Sequence, residues 1–203
     1  MSTELAQSNG AGPALLELEE VSASYGAFKA LFGVSFSVPE GSAVALLGPN
    51  GAGKSTVARV ATRLVPISGG CLRFMGEDVT RLPAYRLARM GVAHAPEGRS
   101  VFSSLTVEEN LQLAFREALG KRGMREALER AYASFPRLGE RRRQNAGTLS
   151  GGEQRMLSLA KVLANPPKLL VVDELSLGLA PVIVDEVFRT LRRIREAGTS
   201  ILV

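Results

Sequence analysis

The chain has 203 residues, a hydrophobic content of 45% and a formal net charge of +5 at pH 7. This length and composition indicate one large domain, or a domain with a subdomain, that buries a sizeable core. No apolar run approaches the roughly 20 residues needed to span a bilayer, and the first 13 residues lack the features of a signal peptide. The single cysteine, Cys71, excludes an intramolecular disulfide and is typical of a reducing compartment.

The positive charge is spread along the chain, with local density at 137–143 and 189–195. In the second group Leu191 and Ile194 alternate with arginines, which is typical of the solvated face of a helix. A nucleic-acid interface is the sharper alternative, but no aromatic stacking platform accompanies these arginines. We therefore expect no nucleic-acid partner.

The N-terminal part predicts a tail followed by antiparallel strands. Residues 1–14 are mostly small and polar, so we expect a disordered tail. Apolar and polar residues alternate over Leu15–Ser24 and again over Leu31–Val38, which predicts two half-buried strands. Tyr25 and Gly26 stand between them.

The next stretch, GPNGAGKST at Gly48–Thr56, fits the phosphate-binding pattern G-x-x-x-x-G-K-[ST]. The apolar run Ser42–Leu47 before it predicts a buried strand, and apolar residues at helical spacing follow it from Val57 to Leu64. A strand-to-helix turn is the context in which such a loop binds phosphate. The alternative is a glycine-rich turn that binds nothing. The residues expected to contact nucleotide are Gly48, Pro49, Asn50, Gly51, Ala52, Gly53, Lys54, Ser55 and Thr56.

The chemistry of this loop follows from its glycines and its helix. Gly51 and Gly53 let backbone N–H groups face one point, and the helix N-terminus adds partial positive charge there. We expect Lys54 to reach the β- and γ-phosphates and the Ser55 hydroxyl to ligate Mg²⁺.

Short elements follow this loop. Gly69 and Gly70 end the helical spacing that follows the phosphate loop, and a strand is predicted over Cys71–Phe74. Pro83 is predicted to be the first residue of a helix that runs to about Met90. A strand at Val92–Ala95 contains the only histidine, His94, which we interpret as a strand residue and not a catalytic one.

The middle of the chain is helical in character. Thr106 and Glu109 occupy the two positions of a capping box, and a second helix is predicted over Met124–Phe135. The block from about residue 97 to 165 is predicted to be a helical subdomain inserted into an α/β core.

A second capping box lies near the end of this block and begins its last helix, with Ser150 and Glu153 in the bonding positions. Gly151 and Gly152 between them predict a bare helix N-terminus, which is an anion site. Because the chain already has a phosphate loop, a second anion site suggests a ligand shared across a dimer.

The core resumes with the apolar strand Leu169–Val172, which ends in Asp173 and Glu174. These carboxylates should lie at the carboxyl edge of the sheet, where ligands of open α/β folds bind. Asp173 could hold Mg²⁺ through water and Glu174 could accept a proton from an attacking water; the alternative is that they cap the next segment. A helix over Pro181–Glu196 and a strand over Thr199–Val203 complete the chain.

The order GPNGAGKST, LSGGEQ, LLVVDE closely resembles the ATP-binding-cassette (ABC) ATPases, from about Leu15 to the end. The stretches APEGRSVF, LTVEENL and SLGLAP resemble, more narrowly, the ATP-binding subunits of bacterial branched-chain amino-acid importers. The resemblance implies an α/β P-loop NTPase core with an N-terminal antiparallel β-subdomain and the inserted helical subdomain.

The resemblance also implies roles for single residues. Tyr25 matches the aromatic residue that stacks on adenine, although a turn aromatic packing on its own sheet is the plainer interpretation. Glu97 stands where most of the family has a glutamine that touches Mg²⁺ and the attacking water, and the importers named above are similar in having glutamate. Leu175 stands where the family usually has proline, and this difference could loosen the orientation of the Glu174 carboxylate.

We therefore expect an ATPase subunit that uses ATP and Mg²⁺ as a homo- or heterodimer, with each ATP also touching Ser150, Gly151 and Gly152 of the other chain. The expected partners are transmembrane permease subunits and, indirectly, a solute-binding protein, at the cytoplasmic face of a bacterial inner membrane. Import of branched-chain amino acids is the first interpretation. The alternatives are import of a urea or amide, or a non-transport or inactive cassette.

The family resemblance further implies a switch loop and final elements beyond Val203. For this reason we expect the 203-residue chain alone to bind ATP, hydrolyse it poorly and tend to aggregate.

Overall fold

The computed structural model describes residues 13–95, 100–162, 166–173 and 180–203. Most of the predicted tail, residues 1–12, lies outside this part. Its predicted boundary is wrong at the other end, because Ala14 already begins the first strand and the Pro13 carbonyl accepts a hydrogen bond from Glu40 N at 3.0 Å.

Among the described residues, strands predominate in the first half of the chain and helices in the second. The strands are β1 (Ala14–Tyr25), β2 (Phe28–Pro39), β3 (Ala43–Val44), β4 (Ile67–Phe74), β5 (Glu77–Asp78), β6 (Val92–Ala95), β7 (Leu169–Val172) and β8 (Ser200–Leu202). The α-helices are α1 (Lys54–Ala61), α2 (Ala84–Arg89), α3 (Val107–Ser134), α4 (Pro136–Glu140), α5 (Gly151–Val162) and α6 (Pro181–Glu196).

These elements form two compact units. Within the described residues, the first unit comprises 13–94, 168–173 and 194–203, and the second comprises 95, 100–162, 166–167 and 180–193.

The first unit contains an antiparallel sheet in the order β2-β1-β4-β5. The alternation predicted for β1 is confirmed, because Leu16, Leu18 and Val21 are fully buried in the core of this unit. Burial of one face of each strand fixes the register, since a slip of one residue would turn the apolar side chains to solvent.

The strand predicted over Cys71–Phe74 begins earlier than expected, at Ile67. The strand runs through Gly69 and Gly70, with a register shift opposite β1 at Glu19 and Ser22. Gly70 has φ 84°, and a Cβ there would lie 2.3 Å from the Glu20 carbonyl oxygen. The pair therefore accommodates a bulge at a close backbone approach, where only glycine fits.

A second sheet has the order β3-β8-β7-β6. All four residues of β7 are buried, as predicted for a central parallel strand, and β8 lies beside it, also as predicted.

The buried strand predicted over Ser42–Leu47 is much shorter than expected. Only Ala43 and Val44 form β3, and Leu47 is 72% exposed. Within the described part, β3 pairs with β8 alone, so this edge strand gains ladder hydrogen bonds on one side.

The second unit contains α3, α4 and α5. The capping box of α3 is confirmed: Thr106 Oγ1 accepts from Glu109 N at 3.2 Å, and Glu109 Oε2 accepts from Thr106 N at 2.8 Å. The two helices predicted here meet at Gly120, whose φ of 68° and ψ of −173° are not helical.

The sequence also predicted the start of α2 and both ends of α6. Pro83 is not the first residue of α2: its ψ of 147° is extended, so it precedes the helix as its N-cap. The bounds predicted for α6, Pro181–Glu196, are confirmed.

Candidate functional site

The phosphate loop lies between β3 and α1, in the strand-to-helix context that was predicted. Gly53, with φ 92°, is the N-cap of α1, and no side chain caps the helix. The Ala52 amide donates to the Pro49 carbonyl at 3.2 Å and so closes a turn within the loop. The first turn of α1 therefore has amides that no side-chain cap has taken.

The loop rests on the antiparallel sheet. A Cβ at Gly53 would lie 2.9 Å from Leu31 Cδ2 and 3.3 Å from the Ala30 carbonyl oxygen, both on β2. A left-handed φ combined with this approach makes glycine the residue that fits here.

Lys54 is the first residue of α1, and its ammonium turns back into the loop. Nζ donates to the carbonyl oxygens of Gly48 at 2.9 Å and of Pro49 at 2.8 Å. A phosphate bound in the loop would compete with these two carbonyls for the ammonium, and its charge would favour the phosphate.

Two of the three predicted magnesium residues, Ser55 and Asp173, come together. The Ser55 hydroxyl, in the first turn of α1, donates to Asp173 Oδ1 at 3.0 Å, and Asp173 follows directly after β7 and is 5% exposed. Hydroxyl and carboxylate oxygens are ligands that Mg²⁺ prefers, and this ion keeps several waters and phosphate oxygens, so it needs only one or two protein groups. The donor set therefore fits a magnesium ion.

Tyr25 ends β1 and is 42% exposed. Its hydroxyl accepts a hydrogen bond from Arg59 Nη1 on α1, at 3.5 Å. Sequence reasoning missed Arg59. The available signal was its position one helical turn after Ser55.

The remaining loop residues are exposed from Gly48 to Ala52, whereas Thr56 is buried within α1. The exposed backbone of the loop is accessible to a ligand, and Thr56 serves the packing of the helix.

The N-terminus of α5 differs from the prediction of a bare helix end. The capping box is confirmed, since Glu153 Oε2 accepts from Ser150 N at 2.9 Å and Ser150 Oγ accepts from Glu153 N at 3.3 Å. Gly152 is buried, and a Cβ there would lie 2.4 Å from Ile183 Cγ2. The helix end is thus partly covered, because it supplies its own carboxylate and packs on α6.

Glu153 is also paired with Arg141, whose Nε lies 2.9 Å from its carboxylate. Burial alone would raise the pKa of Glu153, but the hydrogen bonds from Ser150 and the charge of Arg141 outweigh it and hold the pKa below its usual range.

Comparison with known proteins identifies the family. Residues 31–176 match the family model described as ABC transporter. The chain belongs to the ABC transporter family. A solved ATP-binding cassette of an ABC transporter in its ADP conformation superposes with a TM-score of 0.81 at 28% identity, covering 94% of this chain and 80% of that one. The predicted family and fold class are confirmed.

Three relatives of this chain have names that refer to two kinds of transport. The high-affinity branched-chain amino acid transport ATP-binding protein BraG of Pseudomonas aeruginosa is 41% identical over 191 residues, 93% of this chain and 81% of the relative. The probable branched-chain amino acid transport ATP-binding protein LivF of Archaeoglobus fulgidus is 32% identical over 182 residues, 90% and 77% of the two chains. The lipopolysaccharide export system ATP-binding protein LptB of Haemophilus influenzae is 34% identical over 191 residues, 93% and 79%.

In the second unit of this ABC transporter chain, two further residues that the sequence analysis missed hold the segment after residue 99. Lys161 Nζ donates to the Ser100 carbonyl at 2.7 Å and lies 4.8 Å from the Phe102 ring centroid. Burial of this ammonium lowers the pKa of Lys161. The buried Asn110 accepts from Phe102 N at 2.8 Å and donates to Phe102 O at 2.9 Å.

Glu97 and Glu174, predicted to act in hydrolysis, lie outside the described residues, as does Leu175. Their roles stay predictions. His94 lies in β6, as interpreted from the sequence. Within the described ranges, no helix is long and apolar enough to cross a bilayer.

Proposed function

We propose that this ABC transporter chain binds ATP with magnesium and hydrolyses it. The observation that carries the proposal is the contact between Ser55 and Asp173, which joins the phosphate-loop helix to the end of β7. In this proposal Lys54 binds the β- and γ-phosphates, Ser55 and Asp173 hold the ion, and Tyr25 stacks on adenine. When bound, magnesium neutralises charge that develops on the phosphate oxygens.

The proton acceptor in this proposal is Glu174, because it follows Asp173 at the end of an apolar strand, and Glu97 orients the attacking water. We expect Glu174→Gln to keep ATP binding and to lower turnover by roughly 10²–10⁴, the usual contribution of general acid–base catalysis. Glu196→Gln, at the exposed end of α6, is the matched control. Wild-type turnover in Glu174→Gln would move the role elsewhere, with Glu97 the next candidate.

We further propose that two chains sandwich two ATP molecules, each between one phosphate loop and the partner's Ser150–Gly152 segment. Binding of ATP would close this dimer and hydrolysis would open it, so that the cycle does work on an attached membrane protein. Glu174→Gln should therefore elute as a dimer with ATP and as a monomer without it in size-exclusion chromatography.

The proposed task is to power import of branched-chain or other hydrophobic amino acids, together with permease subunits and a solute-binding protein at the cytoplasmic face of a bacterial inner membrane. The names of BraG and LivF support this task. A second candidate is export, which the similarity to LptB favours.

The deciding experiment reconstitutes the chain in proteoliposomes with the membrane subunits encoded beside its gene. Uptake of radiolabelled leucine that requires ATP and fails with Lys54→Ala supports amino-acid import. Uptake of urea instead would keep the importer and change the solute. ATP-dependent turnover with no uptake of either would contradict import.

A further inference from the structure

Two exposed aromatic side chains face each other across the turn that joins β1 and β2. Tyr25 and Phe28 are Cα partners in the antiparallel ladder, on either side of Gly26 and Ala27. Directly opposite residues of an antiparallel pair place their side chains on the same face, with Cβ atoms about 5 Å apart. Tyr25 is 42% exposed and Phe28 is 71% exposed.

This face is the one that packs on the phosphate-loop helix. Ala23, two residues before Tyr25 on β1, is fully buried, and its ladder partner is Leu31. The ladder has a register shift between Ala23 and Ser24, so the face of Tyr25 is given by the contact of its hydroxyl with α1, and Phe28 shares that face as its direct ladder partner. Leu31 approaches the Gly53 position, and Arg59 of α1 bonds to the Tyr25 hydroxyl.

We propose that Phe28 forms, together with Tyr25, a two-ring aromatic corner that holds the purine base of the nucleotide; this rests on the proposed ATP binding. A base has two apolar faces, and one ring covers at most one of them. Base–aromatic stacking contributes measurable affinity for each base in other nucleotide complexes. Phe28 supplies a second ring on the side of the sheet that carries the phosphate loop.

The chain provides a matched control in Phe32. It is also on β2 and 72% exposed, but it follows the inward-facing Leu31, so it lies on the other face of the sheet. There the Lys29 ammonium lies 5.0 Å from its ring centroid. Phe28 and Phe32 thus share residue type, strand and exposure, and differ in the face of the sheet.

The experiment measures dissociation constants by titration calorimetry for magnesium ATP and for magnesium tripolyphosphate, which has no base. We expect Phe28→Ala to weaken ATP binding about five- to tenfold, within the range of one base–aromatic contact. Tripolyphosphate binding should change less than twofold, and Phe32→Ala should change neither. Phe28→Tyr, which keeps an aromatic ring, should bind magnesium ATP with wild-type affinity. Phe28→Leu, which keeps only an apolar side chain, should bind it more weakly than wild type.

Two outcomes would overturn this inference alone: unchanged ATP affinity in Phe28→Ala, or equal weakening of ATP and tripolyphosphate, which indicates a purely structural role. If Phe28→Ala does not fold, Phe28→Leu answers the same question. Failure of the wild-type chain to bind ATP, or no effect of Lys54→Ala, would instead contradict the proposed function.

Discussion

The N-termini of α1 and α5 both follow glycine-containing turns, yet the two helix ends differ in what already occupies them. Helix α1 begins after Gly53 with no side-chain cap. At α5, the Glu153 carboxylate accepts hydrogen bonds from both the amide and the hydroxyl of Ser150. Glycine at a helix start is therefore not enough for an anion site, because a carboxylate three residues later already interacts with the partial positive charge of the helix N-terminus.

A difference in ligand binding follows. An anion at α1 meets free amides and an ammonium, whereas an anion at α5 meets the negative charge of Glu153 and a buried Gly152. We therefore expect the separate chain to bind nucleotide through the phosphate loop, with α5 contributing only when a partner chain presents a nucleotide to it.

The most severe loss is expected at one of two glycines of the phosphate loop, Gly51 and Gly53, both of which have a positive φ. Gly53→Ala should lower the free energy of unfolding by about 2–4 kcal/mol, because left-handed strain adds to repacking of Leu31. Gly51, with φ 81°, has no atom within 4 Å of a built Cβ, so Gly51→Ala should cost only the strain, about 1–2 kcal/mol. Urea unfolding measures both, and equal losses would show that the contact with β2 relaxes without cost.

The next effect compares the two helix ends directly. Lys54→Ala should abolish tight binding of magnesium ATP, raising the dissociation constant by roughly 10- to 100-fold or more, because charge-assisted hydrogen bonds to phosphate are lost. Ser150→Ala, measured at concentrations where the chain is monomeric, should change it less than twofold. Similar losses in the two variants would mean that the open and the capped helix end contribute alike. A Lys54→Ala affinity within twofold of wild type would remove the phosphate-loop assignment.

The smallest effect is a pH dependence at the capped end. The folded pKa of Glu153 is held below its unfolded value of about 4.3. Its charged form therefore adds stability that is present above that value and is lost as the pH falls toward the folded pKa. Glu153→Gln should flatten the stability curve below about pH 5 relative to wild type, measured by urea unfolding at pH 7 and pH 4. Identical slopes would contradict the assignment of this carboxylate.

Sequence patterns predicted the elements whose burial is decided locally. The four-residue apolar run of β7, the caps at Thr106 and Ser150 and the amphipathic α6 all carry their signals within a few residues. The missed features depend on distant neighbours. At Gly70 the backbone approaches Glu19 and Glu20 of β1, and β3 pairs with β8, which lies more than 150 residues later in the chain.

In the candidate site, too, the roles that motifs signal were predicted, whereas contacts that depend on side-chain conformation were not. The two motifs were enough to predict that Ser55 and Asp173 would serve a magnesium ion, one from the phosphate loop and the other from the carboxyl end of an apolar strand, and the structure brings the two together. The bond from Arg59 to Tyr25 and the turn of Lys54 onto the loop carbonyls could not be predicted. Those contacts depend on side-chain torsions that only the folded neighbourhood decides.

The direction of the Ser55 hydrogen bond has a consequence for the ion. A hydroxyl has one proton and two lone pairs, and here the proton is directed at Asp173. Both lone pairs therefore lie on the side of the oxygen that does not face that carboxylate. The Ser55 oxygen could thus offer a lone pair to magnesium while its proton stays on Asp173.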